Sequence, residues 1–385
     1  MTVTRLAGPG ILAAAVLAGG CSRPPLAPVA PAPAALKEAV AGAFLIGAAV
    51  NSDVVFGRDT LGAALVRTHF SAITPENVLK WDSVHPRPGV YDFAAPDQVV
   101  AFGEQNGMAV IGHVLVWHNQ TPRWVFQDSS GNPVSRDTLL GRMREHILTV
   151  VGRYRGRIAG WDVVNEAVDE DGSLRRTPWL TIIGEDYLAK AFQFAHEADP
   201  GAELYYNDYS LENAPKREGA LALVRRLLAD SVPLSGVGLQ GHAHLDWPTV
   251  EQEDTTIAAF AGLGVKVPIT ELDVDVLPRP DPQRGADVTL DVAPQPGLDP
   301  YAAGLPDSVQ QALARRYGDL FALFLRYRGT VTRVTFWGVT DRTSWRNDWP
   351  VRGRTNYPLL FDRDGRPKPA FDAVIRALQS PVAAP

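Results

Sequence analysis

The stretch IAGWDVVNEA (158–167) decides how this chain is read. It is apolar for most of its length and carries two β-branched residues, Val163 and Val164, near its end. It then stops abruptly in an amide and a carboxylate, Asn165 and Glu166. A short, nearly continuous apolar run of this kind is what a strand buried on both faces requires. The same pattern recurs in AFLIGAAV (43–50), HFSAITPEN (69–77), AVIGHVLVWH (109–118) and ELYYNDYS (203–210). It returns in GVGLQGHAH (236–244), KVPITELDV (266–274) and VTRVTFWGVTD (331–341). Between these runs lie amphipathic stretches with helical spacing, among them 139–154, 186–199, 216–230 and 308–327. Eight strands, each followed by a helix, describe an α/β chain folded as a (β/α)8 TIM barrel. A doubly wound open sheet is the competing architecture. It calls for a Gly-rich turn after the first strand, where this chain instead has Asn51, Ser52 and Asp53.

Composition supports a folded, exported protein. Of 385 residues, 45% are hydrophobic and 21% charged, within globular norms, so wholesale disorder is excluded. A net charge of −6 without a basic stripe argues against nucleic acid as a partner. The single cysteine, Cys21, excludes a disulfide scaffold and a Cys-based zinc site. Ahead of it, residues 1–20 carry one Arg, an apolar stretch from Ile11 to Leu17 and small residues from Ala18 to Gly20, the layout of a signal peptide. Cys21 after Leu-Ala-Gly-Gly resembles the bacterial lipoprotein signal, although Ala18 stands where that signal usually has Leu. The resemblance implies lipidation of Cys21, which becomes the first mature residue and ties the protein to the cell envelope; a soluble secreted product is the alternative. Residues 21–35, rich in Pro and Ala, read as a tether, and 36–380 as a single catalytic domain. The long connection 277–307, rich in Pro, Asp and Gly, reads as an active-site loop.

In such a barrel, sites form at the C-terminal ends of the strands. Those ends are polar here in seven cases of eight. They supply Glu76 and Asn77, His113 to His118, Asn165 and Glu166, and Asn207 to Tyr209. Gln240 to His244, Glu271 and Asp273, and Trp337 with Asp341 complete the rim. Core packing leaves one or two buried polar groups, not a whole rim. Glu166 and Glu271 stand out because apolar strands lead straight into them, at ends four and seven, across the mouth from each other. Two facing carboxyls are the requirement of glycoside hydrolysis: one protonates the leaving oxygen and the other attacks the anomeric carbon or activates water.

The segments ITPENVLKW (73–81), GHVLVWHNQTPRWV (112–125), WDVVNEA (161–167), LQGHAH (239–244), ITELDV (269–274) and FWGVTDRTSW (336–345) resemble, in order, those of family 10 endo-β-1,4-xylanases. The resemblance implies a retaining hydrolase acting on xylan and xylo-oligosaccharides without a cofactor or metal. It implies Glu166 as acid/base, Glu271 as nucleophile and Asn165 as donor to the sugar 2-hydroxyl. His242 and Asp273 orient the nucleophile, and Gln240 lies near Glu166. Glu76, Asn77 and Lys80 hold the non-reducing side, and His113, Trp117, Trp337 and Trp345 line the cleavage point, with Trp345 excluding the C6 hydroxymethyl of glucose. Of the nine Trp, Trp81, Trp161 and Trp179 read as core, and Tyr209 fits either role. Three rivals stand beside this reading: a glucanase or mannanase on the same barrel, a non-catalytic sugar-binding protein, and a metal-dependent hydrolase. The last would use His242 and His244 with His113 and His118.

Overall fold

The computed structural model describes residues 1–4, 35–40, 42–280 and 285–380. Residues 5–20 of the expected signal segment, Cys21 and the tether up to residue 34 lie outside the described residues. Residues 1–4 belong to a separate unit, and the described residues from 35 onward belong to one compact unit.

Nine strand segments build a closed parallel barrel. They are β1 (Leu45–Val50), β2 (Ala72–Pro75), β3 (Ala109–Val116), β4 (Gly160–Asn165), β5 (Glu203–Asp208), β6 (Gly236–Leu239), β7 (His242–His244), β8 (Ile269–Asp275) and β9 (Arg333–Phe336). The pairings are all parallel: β1 pairs with both β2 and β9, and β6 pairs with β8 past the short β7, which closes the circle. Gly47 thus faces Ala72 on one side and Thr335 on the other. The run 236–244, expected as one strand, is two. Gly241, at φ +77, turns the chain between β6 and β7, and β7 pairs only with the upper part of β8. The barrel therefore has eight staves, the sixth of them broken.

Eight helices alternate with the staves: α1 (Thr60–His69), α2 (Ala94–Gln105), α3 (Arg136–Arg153), α4 (Tyr187–Ala198), α5 (Ala214–Ala229), α6 (Val250–Ala261), α7 (Asp307–Arg326) and α8 (Pro369–Gln379). Local chemistry sets their starts. Ser135 caps α3 through the Thr138 amide, Thr249 and Gln252 form a reciprocal capping box on α6, and α5 and α8 begin with proline in the first turn. The apolar faces of the helices meet the outward faces of the strands in one cluster. It takes in Ile73, Val110, Val163 and Val237 from strands and Val66, Val100, Ile147 and Val224 from helices. Burying each such side chain contributes about 1.5–3 kcal/mol, and that layer leaves the strand ends free to carry polar groups.

Trp81, Trp161 and Trp179 are all buried core. Trp81 stacks on His146 with ring centroids 3.7 Å apart, and the Trp179 indole N–H donates to the Trp117 carbonyl at 2.9 Å, bracing a residue of the rim.

Candidate active site

Glu166 follows the last residue of β4, and its backbone adopts a left-handed conformation, φ +57. In an extended strand, Asn165 and Glu166 would point to opposite faces. The left-handed turn brings both side chains to the same cavity. Such a conformation costs a non-glycine residue about 1–3 kcal/mol. It is held by the Glu166 amide donating to the Asn207 carbonyl at 2.8 Å and by the Arg175 guanidinium donating to the Glu166 carbonyl at 3.2 Å.

The Glu166 carboxyl accepts from Asn165 Nδ2 at 3.1 Å, Gln240 Nε2 at 3.0 Å and Trp117 Nε1 at 2.8 Å. Glu271, on β8, accepts from Asn207 Nδ2 at 2.8 Å and faces His242 Nε2 at 3.2 Å. The same Asn207 amide donates to Asn165 Oδ1 at 2.9 Å, so a chain of two asparagines links the carboxyls. Asn207 is itself fixed by Thr270, whose hydroxyl donates to Asn207 Oδ1 at 2.6 Å. Glycine at position 238 makes room for that bond: a Cβ there would lie 2.4 Å from Asn207 Oδ1 and 2.8 Å from Thr270 Cγ2.

Behind His242 stands a second tier. Asp273 accepts from His242 Nδ1 at 3.1 Å, from Trp345 Nε1 at 2.7 Å, and from Arg346 Nε and Nη2 at 3.2 and 2.9 Å. Burial pushes the Asp273 carboxyl up, but the Arg346 guanidinium and His242 outweigh it and hold the acid far below the usual range. Burial opposes a charge on His242, yet Asp273 and Glu271 on either side raise it above an ordinary histidine. With Asp273 ionised, His242 presents an N–H to Glu271. Burial also works against the Glu271 carboxylate. The hydrogen bond from His242, the fields of His113 and His242, and the Asn207 amide more than offset it, so Glu271 is an easily ionised acid. Glu166 is the reverse case. Burial raises it, the Gln240 and Trp117 donors counter only in part, and the charge on Glu271 adds to the rise.

Both carboxyls open on a cavity of about 260 Å³. Its wall includes Asn165, Gln240, His242, Glu76, Asn77, Lys80, His113, Trp117, Trp337 and Trp345; of the expected barrel site residues only Asp273 stands behind it. Lys80 Nζ donates to Asn77 Oδ1 at 3.0 Å and to Gln120 Oε1 at 2.8 Å, and lies 5.0 Å from the centre of the Trp117 ring. Burial lowers the Lys80 ammonium, while the fields of Glu271, Glu76 and Glu166 work against that fall. His113 faces Asp162 at 3.0 Å through Nδ1 and sits edge-on to Trp337 at 5.2 Å. Trp345 stacks on Trp349, centroids 4.6 Å apart.

Several polar strand ends take other roles. Asp341 accepts from Lys368 at 2.8 Å and from the Leu359 amide at 2.9 Å, a buried structural pair. Asp208 pairs with the buried Lys216 at 3.2 Å, and Tyr209 packs its ring over that ammonium, 3.4 Å from ring centre to Nζ. Of the His242/His244 pair weighed as metal ligands, His242 has both ring nitrogens facing carboxylates and shares a second small cavity with His244, Trp247, Asp275 and Arg279. Among the described residues no group of three or more His, Cys, Asp or Glu side chains is placed to hold a metal ion.

A sequence model described as Glycosyl hydrolase family 10 matches residues 35–377, the whole barrel. The chain belongs to glycosyl hydrolase family 10. Two curated xylanases agree with this chain over nearly all of their own length. Endo-1,4-beta-xylanase A of Xylanibacter ruminicola is 42% identical over 352 residues, covering 91% of this chain and 95% of that one. Endo-1,4-beta-xylanase B of Paenibacillus barcinonensis is 44% identical over 342 residues, covering 88% and 97%. Among solved structures, a GH10 endoxylanase retrieved from a sugarcane soil metagenome superposes with a TM-score of 0.86 at 44% identity, covering 89% of this chain and 99% of that one.

Four residues at this family 10 site carry weight that the sequence reading did not give them: Asn207, Arg346, Asp162 and Gln120. Asn207 was visible as a polar strand end, but its double donation depends on register between β4 and β5, where Asn165 and Asn207 are partners. Arg346 follows Trp345 in a short helical turn outside the strands, and nothing in its spacing points to Asp273.

Proposed function

We propose that this family 10 hydrolase cleaves internal β-1,4-xylosidic bonds of xylan and xylo-oligosaccharides by a retaining double displacement. Glu271 is the nucleophile and Glu166 the acid/base. The observation carrying this reading is the contrast between two carboxyls in one cavity, one held ionised by His242 and Asn207, the other pushed toward its protonated form by burial. Separated proton affinities of this kind assign acid and nucleophile. The Glu271 carboxylate attacks the anomeric carbon as Glu166 gives its proton to the departing glycosidic oxygen, leaving a glycosyl ester. Esterification removes the negative charge beside Glu166, whose proton affinity falls. Glu166 then takes a proton from water, the hydroxide attacks the anomeric carbon, and Glu271 departs as carboxylate. Asn165 spends one amide hydrogen on Glu166 and has the other for the sugar 2-hydroxyl, a contact that strengthens as positive charge develops on the ring. Trp345, pinned through its indole N–H to Asp273, is the wall against a C6 hydroxymethyl.

The test is hydrolysis of p-nitrophenyl xylobioside by wild type and by Glu271→Ala with and without azide. Wild type turns over; the variant is inactive alone and forms a glycosyl azide of inverted configuration when azide is added. A variant that azide does not rescue removes Glu271 from the role. Comparison of rates on xylan and carboxymethylcellulose separates xylanase from glucanase, and activity undiminished by a chelator is the expected counterpart.

For the N-terminal segment we infer export through residues 1–20, acylation of Cys21 and a tether of 21–35, with the barrel displayed at the bacterial envelope. The reading rests on the layout of the segment and on Cys21 being the only cysteine of the chain. Cys21→Ser should move activity from the membrane pellet to the soluble fraction; activity that is soluble in the wild type refutes the anchor.

A further inference from the structure

The connection after β8 does not stay on its own side of the barrel. Gly285, at φ +54, lies against the end of β5: a Cβ there would meet Ser210 Oγ at 2.4 Å and the Tyr209 ring at 3.1 Å. The next residues turn back over the mouth. Ala286 and Val288 line the same cavity as the two carboxyls, Ala286 buried and Val288 exposed. The field of Asp287 reaches His118 at the end of β3, on the opposite rim. The turn is tied down rather than loose. The Leu290 amide donates to the Asp287 carbonyl at 3.0 Å, the Thr289 amide to the Asp287 carboxylate at 2.9 Å, and the Val292 amide to the Pro350 carbonyl at 2.9 Å.

Its position relative to the bond being broken follows from the barrel order. Glu76, Asn77 and Lys80 follow β2, Glu166 follows β4, and Tyr209 and Ser210 follow β5. The segment touching Tyr209 and Ser210 therefore stands on the far side of Glu166 from Glu76, Asn77 and Lys80; with that cluster holding the non-reducing sugars, as the family resemblance implies, this is where the leaving group must go.

We infer that residues 285–290 form a wall across the leaving-group side of the cleft, which makes short xylo-oligosaccharides better substrates than polymeric xylan. The inference rests on the xylanase reading above. A long chain must thread past this wall or displace it, whereas a short leaving group ends before reaching it, and the difference falls on kcat/KM. The reaction then belongs after a depolymerising hydrolysis that supplies the oligosaccharides.

The test compares the full chain on xylotetraose and on soluble arabinoxylan, per cleavable bond, with p-nitrophenyl xylobioside as reference. Wild type should favour xylotetraose by about tenfold or more. Replacing residues 286–289 by Gly-Ser-Gly, or Gly285→Val to lift the segment off Tyr209 and Ser210, should narrow that ratio several-fold by raising the rate on polymer. Equal wild-type rates on both substrates overturn the inference while leaving the xylanase reading intact. Variants that turn over the reference substrate but keep the wild-type ratio overturn it as well. Absence of turnover on p-nitrophenyl xylobioside by wild type overturns the xylanase reading itself. Should both variants fail to fold, the wild-type ratio alone decides.

Discussion

Asn207→Ala isolates the part of the site that ionises Glu271. The Asn207 amide gives one hydrogen to Glu271 at 2.8 Å and the other to Asn165 at 2.9 Å. A hydrogen bond to a charged group contributes about 1.5–3 kcal/mol, and one pKa unit corresponds to about 1.4 kcal/mol. The donor favours the carboxylate form of Glu271, so its removal raises the Glu271 pKa. The acid limb of kcat/KM against pH, which reports Glu271 ionising in the free enzyme, should move to higher pH. The rate above the limb should also fall, because Asn165 Oδ1 then keeps only the 3.3 Å contact from Gln240. The fold should survive. Thr270 retains the Leu239 carbonyl at 3.3 Å, and Glu271 retains His242. The assay is the pH profile of p-nitrophenyl xylobioside hydrolysis, with a thermal melt to verify folding. A folded variant whose acid limb stays at the wild-type pH refutes the argument that Asn207 holds Glu271 ionised.

Three further outcomes test neighbouring claims. Glu166→Gln should lose about 10²–10⁴-fold on xylan, where the leaving oxygen needs a proton, yet retain glycosylation by 2,4-dinitrophenyl xylobioside, whose leaving group does not; equal losses on both argue against Glu166 as the acid. Arg346→Met leaves Asp273 without its guanidinium, and breaking a buried pair costs about 3–5 kcal/mol. The melting temperature should then drop by roughly 4–7 °C at neutral pH. Because Asp273 titrates below an unfolded aspartate, its stabilising contribution is present above the unfolded pKa and fades as pH falls. The deficit should therefore narrow on acidification, and a deficit independent of pH counts against the ion pair as its source. Gly238→Ala puts a methyl 2.4 Å from Asn207 Oδ1. It should cost about 1–3 kcal/mol in stability and shift the acid limb in the same direction as Asn207→Ala; loss of stability with an unmoved limb would separate packing from the nucleophile.

The parts of this molecule legible in its sequence were those written as patterns along one strand. Apolar runs ending in polar residues located the staves to within a few residues. Glu166 follows the end of its strand, and Glu271 lies level with the ends of β6 and β9, although β8 itself runs on to Asp275. The break at Gly241 was hidden because GVGLQGHAH keeps an apolar, strand-like composition across a backbone turn that only the pairing of β7 with β8 discloses. Asp341 and Asp208 look from sequence like rim acids equal to Glu271, and the difference lies in partners distant in the chain. Lys368 and Lys216 neutralise them inside the wall, whereas Glu271 meets an amide and an imidazole at the cavity. Side-chain type says a carboxyl is available; only tertiary partners say what its proton does.

That distinction bears on why Glu166 and Glu271 differ although both are almost wholly buried. Burial alone would raise both and leave two neutral acids. The asymmetry comes from the placement of one charged relay. Arg346 fixes Asp273 as an anion, Asp273 favours protonated His242, and His242 delivers a donor to Glu271 on a neighbouring strand. The donors to Glu166 are neutral, two amides and an indole, and they offset only part of the cost of burying its charge. Exchanging charged for neutral donors at either acid should therefore bring the two proton affinities together. His242→Gln preserves a donor but removes its charge, so Glu271 should ionise at higher pH. Glu166, beside a nucleophile that is less often charged, should lose its proton at lower pH. The pH window of activity then narrows from both sides, and a variant that loses rate with both limbs unmoved would show that His242 positions Glu271 without setting its charge.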